Sequence, residues 1–185
     1  MAERMTERMT ERMTGRILAL DVGAKRIGVA VSDELGLLAT PRTVIQRRST
    51  EAALDEIVRL AQIEEASLVV VGLPVSFDGQ LHGQAQTVQR FGERLRRRLA
   101  ALDAPGKPGV PGIPLVYADE MLSTVRAEER LRAAGMRPQR IRERIDAEAA
   151  AVILEEYLER RRQAGGQAAD RAGDENLGNE EDETR

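Results

Sequence analysis

The sequence predicts an α/β protein built on a mixed, five-stranded β-sheet flanked by helices. Short apolar runs typical of strands alternate with longer segments whose apolar residues recur at helical spacing, in the order βββαβαβαα. The first two runs are separated only by residues 22–26, which favours an antiparallel hairpin. The later strands are joined through helices, which favours parallel pairing. We therefore expect an antiparallel meander followed by parallel strands.

The strands are predicted from five segments rich in Ile, Leu and Val: residues 16–21, 27–32, 43–45, 68–71 and 115–118. The fourth, LVVV, is apolar at every position, so it is expected at the centre of the sheet with both faces covered. The segment 103–112, DAPGKPGVPG, is expected to form neither helix nor strand because Pro and Gly interrupt both.

The helices follow from capping residues and apolar stripes. Ser49 or Thr50 is expected to cap a helix that ends near Glu64, and Thr124 a helix that ends near residue 134. A long helix after the loop 74–83 should cover the sheet with one stripe: Val88, Phe91, Leu95 and Leu99. Residues 137–144 read as a basic link, and residues 145–162 as the final helix.

Neither end of the chain has the composition of a folded segment. Residues 2–14 repeat Glu-Arg-Met-Thr, and residues 163–185 are rich in Gly, Ala, Asp and Glu with Leu177 as their one large aliphatic residue. Such segments cannot bury enough apolar surface to offset their ordering entropy. We expect a disordered repeat extension over 1–14, one folded domain over 15–162 and a disordered acidic tail over 163–185.

Composition excludes several classes of protein. The chain has no Cys and one His, which excludes a disulfide scaffold, a thiolate nucleophile and a zinc ribbon. Any metal would be held by oxygen ligands, which favours Mg²⁺ or Mn²⁺. No apolar run approaches the roughly 20 residues of a membrane span, and no signal-peptide core is visible. A cytoplasmic location is expected.

The overall charge of -3 conceals an uneven distribution. Seven acidic and two basic residues lie in 163–185, so the rest of the chain holds 26 basic and 24 acidic residues. Nearly all of the basic residues are Arg, whose planar guanidinium suits bidentate contacts with phosphate. This composition permits nucleic-acid binding without requiring it.

Acidic residues fall where strands and helices meet loops. Asp21 ends the first strand, Asp119 and Glu120 end the last strand, and Asp146 is expected to open the final helix. Carboxylates that converge there would repel one another unless cations neutralised them, and two divalent ions would do so. The alternative for each residue is an ordinary acid at a strand end or at a helix N-terminus, where the dipole favours it.

Two of these positions can be refined by geometry. Asp119 and Glu120 cannot face the same way unless the strand has already ended, because side chains alternate along a strand. We expect Glu120 to face the site and keep Asp119 as the alternative. Asp146 shares one helical face with Ala149, Ala150, Ile153 and Tyr157, and the small Ala residues let this helix approach the sheet closely.

Basic residues beside these acids are candidate phosphate contacts. We expect this role for residues at the first turn, in the loop after the central strand and in the basic link: Lys25, Arg26, Ser76, Arg137, Arg140, Arg142 and Arg144. Lys25 and Arg26 could equally form a solvated hairpin tip. The cluster Arg94, Arg96, Arg97 and Arg98 is interpreted as a solvated helix face. Aromatic residues make up 2% of the chain, so recognition should depend on phosphates and shape rather than on base stacking.

Four segments together resemble one known family: LALDVGAKRIGVAVSD, VVVGLPVSFDGQLHGQAQTVQRF, VYADEMLST and IDAEAAAVILEEYL. In order and spacing they are similar to the motifs of the YqgF/RuvX family and span about residues 16–158. The resemblance implies a ribonuclease H-like fold and a nuclease that acts on Holliday junctions or on the precursor of 16S ribosomal RNA. It also implies that Asp21, Glu120 and Asp146 form the acidic site. The family's usual Asp-Glu-Arg reads Asp119-Glu120-Met121 here, so a basic group is missing.

Three functions compete at this stage. The first is an endonuclease that uses two Mg²⁺ or Mn²⁺ ions and acts on a four-way DNA junction, on a ribosomal RNA precursor, or on both. The second is a fragment of an actin-like ATPase or kinase, which the absence of a second Asp-x-Gly strand motif disfavours. The third is a non-catalytic RNA-binding factor in ribosome assembly that retains the fold. Paired cuts in a four-way junction would further require a homodimer.

Overall fold

The computed structural model describes residues 15–74, 83–104, 107–120 and 123–177. Seven strands are assigned within these ranges: β1 (Ile17–Val22), β2 (Arg26–Ser32), β3 (Ala39–Gln46), β4 (Leu68–Pro74), β5 (Asp103–Ala104), β6 (Lys107–Pro111) and β7 (Leu115–Glu120). Four helices accompany them: α1 (Thr50–Ile63), α2 (Gly83–Ala100), α3 (Ser123–Ala133) and α4 (Pro138–Leu177). The predicted alternation of strands and helices is therefore confirmed.

Five of the strands form one mixed sheet in the order β3-β2-β1-β4-β7. Strands β1, β2 and β3 pair antiparallel, whereas β1 with β4 and β4 with β7 pair parallel. The apolar strand β4 lies between β1 and β7, with both faces covered, as the run LVVV predicts. The parallel strands end at the same edge of the sheet, because Leu20 aligns with Val71 and Val71 with Tyr117.

Each face of the sheet is covered by its own hydrophobic core. Residues of α1 and α2 pack on one face, and the predicted stripe of α2, from Val88 to Leu99, is buried there. The opposite face is covered by α4, through Ala150, Ala151, Ile153 and Leu154. In β1, Leu18 and Leu20 belong to the first core, and Ile17 and Ala19 to the second. We call these the α1–α2 face and the α4 face.

The cap of α1 agrees with the sequence prediction. Ser49 is the N-cap, and its hydroxyl accepts a hydrogen bond from the backbone N–H of Ala52. The helix ends at Ile63, with Glu64 as its C-cap. Helix α3 begins at Ser123, so Thr124 lies inside its first turn rather than at the cap.

The Pro/Gly segment is a correction to the sequence analysis. Strands β5 and β6 pair antiparallel within it, although the segment was expected to contain no strand. A two-stranded ribbon leaves one edge of each strand without ladder partners, so a Pro that lacks an N–H group is tolerated there.

Helix α4 also differs from prediction at both ends. It begins at Pro138 rather than Ile145, so the predicted basic link forms its first two turns. Proline is favourable at the first helical position, where its missing N–H needs no partner. Asp146 therefore lies in the third turn and does not open the helix. The helix continues to Leu177, past the predicted end at residue 162, because extending a formed helix needs no new nucleus.

Residues 1–14 and 178–185, which the sequence predicts to be disordered, lie outside the described residues. So do Ser76 and the rest of 75–82. Within the described part of the chain, no helix is both long enough and apolar enough to span a membrane.

Candidate functional site

Asp21 lies near the end of β1 on the α4 face of the sheet. Side chains alternate along a strand, so Asp21 follows Ile17 and Ala19 rather than Leu18 and Leu20. Asp21 is partly exposed. Its partner in the antiparallel pairing with β2 is Gly28. On the α4 face, the apolar side chains of β1 are therefore followed by a carboxylate at this edge of the sheet.

Gly28 allows α4 to lie directly on the sheet. A Cβ atom added to Gly28 would lie 1.8 Å from the backbone oxygen of Asp146 and 2.9 Å from the backbone nitrogen of Ala147. No side chain fits at such distances, so the helix backbone occupies the space that a side chain would take. Glycine within a strand allows such a close approach of another backbone. Because Gly28 pairs with Asp21, this contact brings Asp146 to the same part of the α4 face as Asp21.

The Asp146 carboxylate is poorly solvated. Its Oδ2 atom is buried and accepts no hydrogen bond. The Nε atom of Arg26 lies 2.7 Å from Oδ2, but the direction of its N–H does not suit a hydrogen bond, so the contact is an ion pair alone. Burial raises the pKa of Asp146 above its ordinary value, and the positive charge of Arg26 opposes this rise. A buried carboxylate oxygen without a donor is a natural ligand for a cation.

Arg26 joins the first hairpin to the start of α4. Besides its ion pair with Asp146, its guanidinium donates a hydrogen bond to the backbone carbonyl of Arg142 at 3.1 Å. The sequence analysis proposed Arg26 as a phosphate contact and did not foresee either partner. These contacts connect residues far apart in the chain, so no local pattern could have revealed them.

Arg47 contacts the turn after Asp21, a role that its position in the sequence did not indicate. It donates from Nη1 to the carbonyl of Gly23 at 3.2 Å, and its backbone N–H donates to the carbonyl of Lys25 at 2.9 Å. Its guanidinium lies 5.0 Å from the ring centre of Phe91. Arg47 thereby fixes the turn that follows Asp21 to β3 and α2.

Positions 119 and 120, at the end of β7, have the registers of opposite faces of the sheet. The strand continues through both, with Asp119 aligned to Leu73 and Glu120 to Pro74. Asp119 has the register of Leu115 and Tyr117, which belong to the α1–α2 face, and it is exposed. Position 120 has the register of Val116 and Ala118, which belong to the α4 face. The backbone thus assigns position 120 to the face that holds Asp21 and Asp146, one strand beyond β4. The side chain of Glu120 is not described.

Comparison with known proteins identifies the family. The model of the family described as "RuvX: Holliday junction resolvase" matches residues 15–160. The chain belongs to the RuvX family. A relative from Chloroflexus aurantiacus, named "Putative pre-16S rRNA nuclease", is 43% identical over 146 residues, which cover 79% of this chain and 88% of the relative. A relative of the same name from a Synechococcus species is 39% identical and covers 79% of this chain and 90% of its own.

Among solved structures, RuvC of Thermus thermophilus in complex with a Holliday junction substrate matches with a TM-score of 0.46 and 14% identity. The match covers 80% of this chain and 95% of RuvC. The observed mixed sheet, with helices on both faces, is the α/β architecture that the sequence predicts.

The acidic residues of this RuvX chain suit a hard divalent cation, because carboxylate oxygens are the ligands that Mg²⁺ and Mn²⁺ prefer. The Oδ2 atom of Asp146, which contacts the Arg26 guanidinium but accepts no hydrogen bond, fits such a ligand role. Among the side chains that the structure describes, no three His, Cys or acidic groups lie together as a ready metal site. Glu120 is not one of those side chains, so the described part of the site comprises Asp21 and Asp146.

The predicted phosphate contacts among the described residues lie in the turn after β1 and at or just before the start of α4. Lys25 is exposed in the turn between β1 and β2. The Arg residues of the former basic link are all exposed at the beginning of α4: Arg137, Arg140, Arg142 and Arg144. In the other cluster, Arg94 and Arg98 form ion pairs with Glu51 of α1, and Arg98 also pairs with Asp55. That cluster connects two helices at the surface, on the face of the sheet opposite Asp21.

Proposed function

We propose that this protein is a metal-dependent, structure-selective endonuclease that hydrolyses phosphodiester bonds. Asp21, Glu120 and Asp146 are its catalytic, metal-binding carboxylates, and residues 15–162 form the nuclease domain. The single observation that best supports this proposal is the Asp146 carboxylate, whose buried oxygen has no hydrogen-bond donor and which lies on the same face as Asp21. Burying that oxygen with an ion pair to Arg26 but no hydrogen bond costs stability, which indicates a functional reason for it.

The residues present fit a pair of Mg²⁺ or Mn²⁺ ions. The proposed set of three carboxylates would carry repelling charges that bound cations would neutralise. When bound, the ions supply Lewis-acid stabilisation of the charge that develops on the phosphate and on the leaving oxygen. In-line attack by water with departure of the 3′ oxygen leaves 5′-phosphate and 3′-hydroxyl ends.

The protein's own residues hold and orient these groups. Asp21 is held at a strand end, and Asp146 is held by a helix that Gly28 admits to the sheet. Arg26 keeps Asp146 ionised against the effect of burial, because its positive charge lowers the pKa of that carboxyl. The exposed Lys25 and the Arg residues at the start of α4 lie where they can contact phosphates. Ser76, in the loop after β4, is proposed for the same role.

The names of the relatives suggest the substrate. Proteins 39% and 43% identical to this chain are named for the precursor of 16S ribosomal RNA, and the family is described by the Holliday junction. We therefore propose the 5′ end of the 16S rRNA precursor and the four-way DNA junction as the two substrates to test. Both functions belong in the bacterial cytoplasm.

The test is cleavage of both substrates by the full chain, with Mg²⁺, with Mn²⁺ and with a chelator. We expect cleavage that the chelator abolishes, and at least about a 100-fold loss of rate in Asp21→Asn with equal or tighter binding. Saturating Mn²⁺ should also raise the melting temperature of the wild type more than that of Asp21→Asn, since only the native state holds the ligands together.

Binding of RNA without cleavage under any metal condition would contradict the proposal. It would favour a non-catalytic factor in ribosome assembly. Near-normal turnover by Asp21→Asn would contradict the metal-site assignment.

A further inference from the structure

A groove of about 900 Å³ runs beside the candidate site on the α4 face. Its floor is the part of β3 around Thr43, Val44 and Gln46, and its wall is the beginning of α4, from Gln139 to Glu148. Leu131 of α3 closes part of the far side. Strand β3 is an edge strand of the sheet, so the groove lies at the margin of the domain.

The groove is continuous with the candidate site through Arg26. This residue lines the groove, and its Nε atom lies 2.7 Å from the Asp146 carboxylate. The hydrogen bond that Arg26 donates to the carbonyl of Arg142 is made with a groove residue as well. A ligand strand lying in the groove would therefore reach the carboxylates at the end of the groove where Arg26 lies.

The charge in the groove is available for a ligand. Arg142 and Arg144 line it, both are exposed, and neither forms an ion pair with a described residue. By contrast, Arg42 is held by the buried Glu64 at 2.6 Å. Two acids also line the groove: Glu148, which lies 3.9 Å from Arg130, and the exposed Glu143. The unpaired positive charges therefore lie on the α4 wall.

The remaining residues that line the groove suit contacts with a sugar-phosphate backbone rather than with bases. They provide the amides of Gln46 and Gln139 and the hydroxyl of Thr43, which can hydrogen-bond to phosphate and sugar oxygens. None of the residues that line the groove is aromatic, so stacking platforms for bases are absent from it. Its volume lies near the top of the range of about 300–1,000 Å³ for small-ligand sites, which suits a short piece of one strand.

We propose that this groove binds the sugar-phosphate backbone of a single-stranded segment next to the bond that is cut. The proposal rests on the proposed nuclease function and specifies its substrate: a structured nucleic acid with an unpaired strand beside the scissile phosphate. Arg142 and Arg144 contact the phosphates, and Arg26 lies between the groove and the carboxylates.

The test compares two double variants with the same loss of charge. Arg142→Gln with Arg144→Gln changes the groove, and Arg97→Gln with Arg160→Gln removes two exposed charges elsewhere. Both are made in Asp21→Asn, so that binding is measured with Mg²⁺ present and without cleavage. The probe is a fluorescein-labelled, unstructured single-stranded RNA of about 20 nucleotides, longer than the 4–16 nucleotides of typical single-strand sites. Binding is followed by anisotropy across salt concentrations.

We expect the groove variant to bind the single strand about tenfold more weakly, with a log–log salt slope smaller by about 1.4. The control variant should stay within about twofold of the parent. On a fully paired duplex of the same length, both variants should behave alike. Melting temperatures equal to that of the parent would show that each variant is folded.

Three outcomes are decisive. If the wild-type chain cleaves RNA or junctions and the groove variant binds like the control, the groove proposal is wrong and the nuclease function stands. If the groove variant loses duplex and single-strand binding equally, the assignment to a single strand is wrong. If the wild-type chain neither binds nor cleaves any nucleic acid, the proposed function itself is wrong.

Discussion

The two adjacent acids at the end of β7 can be distinguished by substitution. Position 120 has the register of the α4 face, whereas Asp119 is exposed with the register of the opposite face. We expect Glu120→Gln to lower the cleavage rate at least about 100-fold because it would remove the proposed metal ligand. Asp119→Asn, the matched control on the same strand, should stay within about threefold of the wild-type rate. The measurement is single-turnover cleavage, and the reverse order of effects would assign the ligand role to Asp119.

Asp146 is expected to serve the proposed catalysis while lowering the stability of the native state at neutral pH. Burial raises its pKa above the ordinary value of 3.8, so the native state binds this proton more tightly than the unfolded state does. Native stability therefore falls as pH rises from 3.8 through the raised value, and at neutral pH the carboxylate is destabilising. We expect Asp146→Asn to abolish cleavage and to raise the melting temperature slightly at pH 7.

The pH dependence provides the check on this prediction. The gain in melting temperature from Asp146→Asn should shrink as pH falls. It should vanish below pH 3.8, where the wild-type carboxyl is protonated in the native and the unfolded state. A lower melting temperature for Asp146→Asn at pH 7 would contradict it, since the ion pair with Arg26 would then outweigh the cost of burial. The measurement is thermal unfolding without divalent ions from acidic to neutral pH.

At the scale of secondary-structure elements, the contact between β2 and α4 holds the site together. An added Cβ at Gly28 would collide with the backbone of Asp146, and a helix backbone cannot yield as a flexible side chain can. We expect Gly28→Ala to displace α4, to cost about 1–3 kcal/mol of unfolding free energy or more, and to lower cleavage under conditions where the variant is still folded. Urea unfolding and a cleavage assay measure the two effects.

Gly83 offers the matched control because no atom lies within 4 Å of a Cβ built there. Gly83→Ala at the start of α2 should leave stability unchanged or slightly increased, since Ala restricts the unfolded chain more than Gly does. Equal stability of the two variants would show that α4 tolerates a shift at Gly28.

At the scale of the whole molecule, the substrate determines the oligomeric state. Resolution of a four-way junction needs two symmetric cuts, and one chain of 185 residues with the proposed acidic site would make a single cut. We expect a homodimer if paired junction cleavage is found, because a twofold axis places two sites in matching orientations. Processing of a single RNA strand imposes no such requirement.

Light scattering across protein concentrations, run beside the junction assay, measures the oligomeric state. Helix α3 is a candidate interface because Val125 is exposed, whereas its neighbour Leu131 is buried within the chain. Paired cuts by a protein that stays monomeric with and without DNA would contradict the dimer.

Much of the fold could be predicted from local patterns in the sequence. The alternation of apolar strands and amphipathic helices, the Ser49 cap of α1 and the buried stripe of α2 all depend on residues near one another in the chain. Such patterns determine element type because propensity, capping and periodicity act over a few turns or strand positions. Asp21 and Asp146 were likewise recognisable as candidates from residue type and position.

What the sequence could not determine depends on contacts between distant segments. The continuation of β7 through position 120 gives the two neighbouring positions the registers of opposite faces. The start of α4 at Pro138, by contrast, follows from a local feature, the proline at the first helical position, and it moves Asp146 from the first turn to the third. The ion pair of Arg26 with Asp146 and the groove beside it arise only when α4 closes over Gly28. The sequence by itself thus determined the elements and the candidate acids, whereas the tertiary structure decided their faces and partners, because those depend on how the packed chain brings remote residues together.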